Sequence, residues 1–185
     1  MTVIACNTKQ MAADKWSHIG NAAFRASKLN IRADGAIFGA AGDTDNTHAF
    51  RDWFNKNDPS VPYPTLSDNI EALVLMPDGQ IRIYDKTPHF VIIEEAFWAV
   101  GSGKGFALGA MAAGADPFTA VQLTQKFCTH TGGGTDLHTL ESRRTVNLND
   151  IIDQLKPNGR MPSPINFDRY VRMKPTSQRE FIRYC

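Results

Sequence analysis

The chain has 185 residues, which is the size of one ordinary domain. Hydrophobic residues make up 42%, charged residues make up 21%, and the formal net charge is +1. This balance is typical of a folded globular protein, and it argues against a disordered chain or a nucleic-acid binder that acts through bulk charge. No apolar run approaches the ~20 residues that cross a bilayer, so we expect no membrane segment.

The cysteines indicate the cellular compartment. Cys6, Cys128 and Cys185 are scattered along the chain and odd in number, a usage that predicts a reducing compartment rather than a disulfide framework. The first residues lack the basic start and apolar core of a secretory signal. We therefore expect a cytoplasmic protein.

The first forty residues predict a small β-meander. β-Branched and small residues at positions 2–6 indicate a strand, and residues 11–13 are expected to return antiparallel to it. Asp34-Gly35 is a strong hairpin signal between strands expected at 30–32 and 36–39.

A helix is predicted after Gly42, because Asp43 or Thr44 can cap it and apolar residues recur at helical spacing over 49–54. A second hairpin is predicted over residues 72–84, around an Asp-Gly turn.

The later part of the chain predicts two short strands and then two helices. The strands are expected at 90–93 and 97–100, and the first helix at 103–113. The second helix is expected to begin at the N-cap Asp116, with Pro117 in its first position, and to end near residue 128. Runs of strands and runs of helices predict an α+β protein with antiparallel sheets.

The last thirty residues differ in character from the rest. Prolines interrupt any periodicity there, and seven Lys or Arg residues face two acidic residues, a net charge of about +5. We expect a domain over residues 1–156 and a basic arm over 157–185, which lies on its own domain or on a neighbouring subunit.

Thr2 is a candidate nucleophile, because an initiator Met1 before a small residue is usually removed. An N-terminal threonine combines a hydroxyl with an α-amine of pKa ~7.7–8.0, so the neutral amine can act as base for its own side chain. The chemistry needs a nearby cation to lower the pKa of the amine, and N–H donors to hold the oxyanion.

A series of short motifs runs over about residues 2–140: Thr2-Val3-Ile4-Ala5, Ala13-Asp14, Gly20-Asn21, Lys28-Leu29, Ala36-Ile37-Phe38-Gly39-Ala40-Ala41-Gly42, Pro77-Asp78-Gly79, Ala99-Val100-Gly101-Ser102-Gly103 and Phe106-Ala107. Their order resembles that of the proteasome β-subunit family, and within this family the chain most resembles the bacterial HslV-type peptidase.

The resemblance implies a fold and a set of site residues. The fold would be the N-terminal nucleophile hydrolase fold, a four-layer αββα sandwich of two antiparallel sheets between helix layers. Thr2 would be the nucleophile, and Asp14 would fix Lys28. Lys28 would supply the positive charge, and Ser102 would lie near the nucleophile.

The resemblance also implies a substrate cleft and an assembly. Backbone N–H groups around Gly39 and Gly42 would line the cleft, where free N–H groups suit an oxyanion. The chain would be an endopeptidase subunit that cleaves unfolded protein or peptide in a ring of identical copies, with an ATP-dependent unfoldase as a candidate partner.

Two other functions remain open. One is a non-catalytic structural or assembly protein that retains Met1, in which Thr2 has an amide nitrogen and no free base. Cys128 or Thr131 would then stand in for part of the family's usual polar support. The other is an amidase of the same fold that acts on a small molecule, since fold does not fix substrate.

Phosphate and metal sites are not indicated. The Gly-rich run at 101–105 does not match the nucleotide-binding pattern, because a glycine rather than Ser or Thr follows its lysine. The five histidines and three cysteines lack metal-ligand spacing. We expect no cofactor.

Overall fold

A computed structural model of the chain describes residues 2–67 and 69–140. Within these ranges the chain forms eleven strands and three α-helices. The strands are β1 (Ile4–Asn7), β2 (Gln10–Asp14), β3 (Trp16–Ile19), β4 (Ala22–Arg25), β5 (Leu29–Ile31), β6 (Ile37–Gly42), β7 (Ile70–Leu75), β8 (Ile81–Tyr84), β9 (Phe90–Ile93), β10 (Phe97–Val100) and β11 (Thr135–Thr139). The helices are α1 (Thr44–Lys56), α2 (Lys104–Ala112) and α3 (Pro117–Phe127). The expected arm over 157–185, and the end of the expected 1–156 domain, lie outside the described residues.

Among the described residues all of the strand pairs are antiparallel, and they form two sheets and a separate hairpin. One sheet has the order β10-β1-β2-β11, and the other has the order β5-β6-β7-β8-β9. The hairpin joins β3 to β4. The predicted α+β composition with antiparallel sheets is therefore confirmed, and none of the described helices is long and apolar enough to cross a membrane.

The predicted opening meander is wrong in one respect. β1 and β2 pair in the four-stranded sheet, whereas β5 and β6 pair in the five-stranded sheet, because the unpredicted hairpin β3–β4 carries the chain from one sheet to the other. All four residues of β4 are exposed. The hairpin therefore lacks the alternation of apolar and polar residues that marks a strand in sequence.

Both predicted Asp-Gly hairpins are confirmed. Gly35 has φ +93° in the turn between β5 and β6, and Gly79 has φ +89° in the turn between β7 and β8. Glycine adopts this left-handed backbone without the steric cost that a side chain adds, which is why the sequence signal is reliable.

The two predicted helix starts differ in detail. Asp116 caps α3 as expected, because its side chain accepts a hydrogen bond from the Thr119 N–H at 2.7 Å. Asp43 is the N-cap of α1, but its carboxylate accepts a hydrogen bond from Asn69 Nδ2 instead of from the helix.

Three apolar clusters hold the elements together. One joins the two sheets and contains Ile4, Cys6, Met11, Ala13, Leu29, Ile37, Ala41, Leu73, Leu75, Ile81 and Val100. A second joins α1 to the five-stranded sheet and contains Ala36, Phe38, Phe50, Phe54, Leu66, Ile70, Ala72, Val74 and Tyr84. The third joins α2 and α3 to the four-stranded sheet and contains Val3, Ala5, Ala12, Ala99, Ala107, Met111, Ala120 and Val121. Successive side chains of a strand point to opposite faces, so β1 contributes to the clusters on both faces of its sheet.

Candidate active site

Thr2 lies two residues before the start of β1, and the strand register brings it to the turn after β10. Ile4 pairs with Val100 in antiparallel register, so the residues before Ile4 meet those after Val100. The Thr2 N–H donates to Ser102 Oγ at 3.2 Å, and Ser102 Oγ donates to the Thr2 carbonyl at 3.3 Å. The Gly103 N–H donates to the same carbonyl at 3.2 Å. Residues 101–103, called the β10–α2 turn below, thus hold the main chain of Thr2.

A buried ion pair lies beside this contact. Lys28 Nζ is 2.8 Å from Asp14 Oδ1, with side chains that are 10% and 0% exposed respectively. The same oxygen accepts the Val3 N–H at 2.9 Å, and Asp14 Oδ2 accepts the Gly132 N–H at 3.2 Å. Burial lowers the pKa of Lys28, and the Asp14 carboxylate acts in the opposite direction.

Gly39 supports Lys28 through close packing. A Cβ on Gly39 would lie 2.7 Å from the Lys28 carbonyl oxygen, a distance that real Cβ atoms do not tolerate. Gly39 also pairs with Leu29 of β5 and Leu73 of β7, so it lies in the interior of the sheet. Its absent side chain lets the segment that carries Lys28 approach β6.

A cavity of about 460 Å³ opens beside Thr2 and Lys28. Its walls come from the β3–β4 hairpin, the end of β6 and the first turns of α1. The lining residues are Thr2, Trp16, Ser17, His18, Phe24, Ala26, Ser27, Lys28, Asn30, Phe38, Ala40, Gly42, Asp43, Thr44, Thr47, His48, Phe50 and Arg51. Gly42 belongs to this lining, whereas Gly39 does not.

The end of β6 leaves a strand edge on the cavity side. β5 pairs with residues 37–39 of β6, whereas β7 pairs with residues 37–42. Residues 40–42 therefore have a strand on one side only among the described residues. Gly42 has φ +141°, and a Cβ there would lie 2.0 Å from the Asn69 carbonyl oxygen, so this position requires glycine.

Sequence reasoning missed the glycine-rich segment as a support for Asp14. The Gly132 N–H binds Asp14, and the Gly132 carbonyl accepts the Trp16 N–H at 2.9 Å. A Cβ on Gly132 would lie 2.8 Å from the Trp16 ring. The only sequence signal was the run of three glycines. Among the described residues, no group of three His, Cys, Asp or Glu could hold a metal.

Cys128 and Thr131 are hydrogen-bonded to each other, and Thr131 lies next to the β10–α2 turn. The Thr131 hydroxyl donates to the Cys128 carbonyl at 3.2 Å, and the Thr131 methyl would be 3.2 Å from a Cβ on Gly103. Thr131 thus packs against the turn that holds Thr2.

Comparisons with known proteins find similarity at the level of structure. No family model matches the sequence, and no curated protein matches it. The structure of Thiobacillus denitrificans BPH in complex with epoxomicin matches with a TM-score of 0.55 and 16% identity, over 75% of this chain and 96% of that one. Eukaryotic HslV from Trypanosoma brucei matches with a TM-score of 0.55 and 16% identity, over 74% and 98%. The Anbu (Gly-1) mutant from Hyphomicrobium sp. strain MC1 matches with a TM-score of 0.58 and 11% identity, over 75% and 81%. The chain thus has the HslV-type, proteasome-like fold that the order of its motifs implied.

Proposed function

We propose that this chain is a threonine-type endopeptidase subunit that uses Thr2 as its N-terminal nucleophile after removal of Met1. The observation that carries the proposal is the arrangement around Thr2. Its nitrogen lies 3.2 Å from Ser102 Oγ. Thr2 and Lys28 line the same cavity, and Asp14 forms the buried ion pair with Lys28.

Removal of Met1 would convert the Thr2 nitrogen from an amide into an amine. The neutral amine accepts the proton of the Thr2 hydroxyl as Oγ1 attacks a peptide carbonyl, and the resulting ester holds the acyl part of the substrate. The same amine returns the proton to the leaving amine, and water then hydrolyses the ester. Lys28 disfavours the protonated amine by charge repulsion, so more of the base is available near neutral pH.

The edge of β6 suggests how a substrate is held. An extended peptide can add to residues 40–42 as a strand, since main-chain groups at a sheet edge recognise extended chains of varied sequence. The N–H groups of residues 40–42 are the candidate donors for the oxyanion, whereas Gly39 is paired on both sides within the sheet. This mode of binding suits an unfolded protein or a peptide better than a compact folded substrate.

The remaining expectations belong to the same proposal. The three apolar clusters support the four-layer order α1, five-stranded sheet, four-stranded sheet, α2 with α3. The fold shared with HslV supports self-association into a ring of copies. An ATP-dependent unfoldase as partner follows from the family resemblance. A cytoplasmic location follows from the scattered, odd-numbered cysteines, and the division into a domain over 1–156 and a basic arm over 157–185 follows from the change in composition near residue 156.

Intact mass spectrometry tests the proposal directly. The purified protein is measured before and after incubation with a peptide epoxyketone, a reagent that needs both the amine and the hydroxyl of an N-terminal threonine. We expect a chain that lacks Met1 and gains one inhibitor equivalent, and a Thr2→Ala variant that gains none while assembling normally. Retention of Met1 without an adduct would overturn the proposal in favour of a non-catalytic structural role.

A further inference from the structure

A second carboxylate, Glu71 of β7, contacts the β10–α2 turn. Glu71 Oε2 accepts the Gly101 N–H at 3.0 Å, and Glu71 Oε1 forms an ion pair with Lys104 Nζ. The next two residues of the turn, Ser102 and Gly103, make the hydrogen bonds to Thr2. The carboxylate is therefore attached one residue away from the groups that hold the candidate nucleophile.

The conformation of Gly101 leaves the turn little freedom. Its φ is +90°, and a Cβ at this position would lie 2.3 Å from the Thr2 carbonyl oxygen and 3.2 Å from the Ala41 side chain. The turn is thus packed between the main chain of Thr2 and β6. Because Ser102 follows directly, a rotation of the Gly101 peptide would move Ser102 Oγ relative to the Thr2 nitrogen.

The charges around the start of α2 favour an ionised Glu71. Lys104 is the first residue of α2, where a cation is unfavourable because the helix dipole is positive at that end. The Glu71 carboxylate compensates this charge. Burial acts to raise the pKa of Glu71, but the Gly101 N–H and Lys104 together hold the pKa below its ordinary value.

We propose that Glu71 is a positioning residue for the Thr2 site. It ties β7 of the five-stranded sheet to the β10–α2 turn and so fixes Ser102 and Gly103 against Thr2. This inference rests on the proposed function, since positioning matters for activity only if Thr2 reacts. The hydrogen bond from the Gly101 N–H to Glu71 can be tested without any measurement of activity.

The first experiment reads the hydrogen bond without using activity. Val100-Gly101 is the only Val-Gly pair in the sequence and Ser102-Gly103 the only Ser-Gly pair, so carbonyl-¹³C valine or serine combined with ¹⁵N-glycine identifies each amide by NMR. At pH 7 we expect the Gly101 amide proton to move upfield in Glu71→Gln, because a neutral acceptor binds the N–H more weakly than a carboxylate does. In Glu71→Ala the Gly103 amide should shift as well.

Exposed Glu95, in the turn between β9 and β10, offers a matched control. Glu95→Gln should leave both amide resonances unchanged. A Gly101 resonance that is the same in Glu71→Gln and the unsubstituted protein would overturn the inference, whatever the activity of the chain.

The second experiment measures the rate of epoxyketone labelling in chains that lack Met1. We expect Glu71→Ala to lower the maximal labelling rate by about tenfold with the reagent's half-saturation concentration nearly unchanged, because a misplaced nucleophile affects the chemical step. Glu71→Gln keeps an acceptor oxygen for the Gly101 N–H, so it should retain most of the rate. Rates are compared at a temperature where thermal unfolding shows every variant to be folded.

The two experiments separate the two ideas. A protein that never forms an adduct contradicts the proposed function, and the Gly101 resonance then decides on the Glu71 contact alone. An adduct that forms equally fast in Glu71→Ala and the unsubstituted chain overturns the positioning role. A rate lost in Glu71→Ala and restored by Glu71→Gln supports it.

Discussion

Two acid–lysine pairs flank Thr2, and they differ in burial. The Asp14–Lys28 pair is nearly inaccessible, with side chains 0% and 10% exposed, whereas the Glu71 and Lys104 side chains are 41% and 49% exposed. In water-accessible surroundings an ion pair contributes little to stability, but a buried charge that loses its partner is costly. The two pairs therefore have different consequences although both pair a lysine with a carboxylate.

The pairs share one structural feature. Each carboxylate also accepts a main-chain N–H beside Thr2, from Val3 in one case and from Gly101 in the other. Asp14 holds the strand that follows Thr2, and Glu71 holds the turn that contacts it. The Asp14–Lys28 pair is buried, so its loss should destabilise the fold. The Glu71–Lys104 pair is exposed, so the loss of the Glu71 carboxylate should alter the geometry of the β10–α2 turn with a small effect on stability.

The largest effect is expected from breaking the buried pair. Asp14→Ala leaves Lys28 without the carboxylate and removes the acceptor of two main-chain N–H groups, so we expect a loss of about 3–5 kcal/mol in the free energy of unfolding. Urea unfolding at fixed protein concentration measures it. A loss below about 1 kcal/mol would contradict the structural importance of the pair.

A smaller loss of unfolding free energy is expected from a substitution in the β10–α2 turn, at the residue whose N–H Glu71 accepts. Gly101→Ala introduces a Cβ 2.3 Å from the Thr2 carbonyl oxygen at a left-handed φ, which should cost about 1–3 kcal/mol of unfolding free energy. Gly105→Ala is the matched control, because a Cβ on Gly105 of α2 would meet nothing within 4 Å. The control should be neutral or slightly stabilising. Equal losses in Gly101→Ala and Gly105→Ala would show that the close approach of Gly101 to Thr2 does not require glycine.

The charge of Lys28 should appear in the pH profile of epoxyketone labelling. The rate should rise as the Thr2 amine loses its proton. It should fall again as Lys28 loses its own proton, because a neutral Lys28 no longer stabilises the negative charge that develops on the Thr2 hydroxyl oxygen. Burial lowers the pKa of Lys28, so this fall should come at a pH below the ordinary lysine value. Lys28→Arg keeps its charge to higher pH, so the alkaline fall should move upward. Lys28→Ala should retain less than about a tenth of the rate, which corresponds to an increase of more than about 1.4 kcal/mol in the activation barrier.

Two results would contradict the role of Lys28 as the positive charge beside Thr2. The first is an alkaline fall at the same pH in Lys28→Arg and the unsubstituted chain. The second is a Lys28→Ala variant with more than about a tenth of the original rate. Circular dichroism across the pH range checks that neither result reflects unfolding.

The smallest effect is expected from Lys104. Lys104→Met removes the exposed ion pair but leaves the hydrogen bond from Gly101 to Glu71, so the free energy of unfolding should change by less than about 1 kcal/mol. Thermal unfolding of Lys104→Met and the unsubstituted protein, measured side by side, tests this prediction. A loss as large as that in Asp14→Ala would show that exposure does not distinguish the two pairs.

Much of the local structure could be predicted from the sequence. The Asp-Gly hairpins, the helix after Gly42 and the Asp116 cap were all expected, and the strands at 90–93 and 97–100 match β9 and β10. The β3–β4 hairpin and β11 were not expected. β4 is exposed at every residue, and β11 alternates only between partly buried and exposed residues, so neither shows a strong strand pattern.

By itself the sequence determined those features whose bonds join near neighbours. Asp116 and Thr119 are three residues apart, and the glycines of the turns need only their own backbone freedom. The motif order named the candidate residues Thr2, Asp14, Lys28 and Ser102 by resemblance. It also implied that Asp14 fixes Lys28 and that Ser102 lies near Thr2, but it gave no geometry for these contacts.

Tertiary structure alone decided how the candidate site is assembled. Thr2 and Ser102 are 100 residues apart, and Asp14 and Gly132 are 118 apart. Such contacts form only when the four-stranded sheet brings β10, β1, β2 and β11 side by side and apolar packing joins it to the other sheet. Burial, which distinguishes the two ion pairs, arises in the same step, because it depends on what packs around a side chain rather than on its neighbours in sequence.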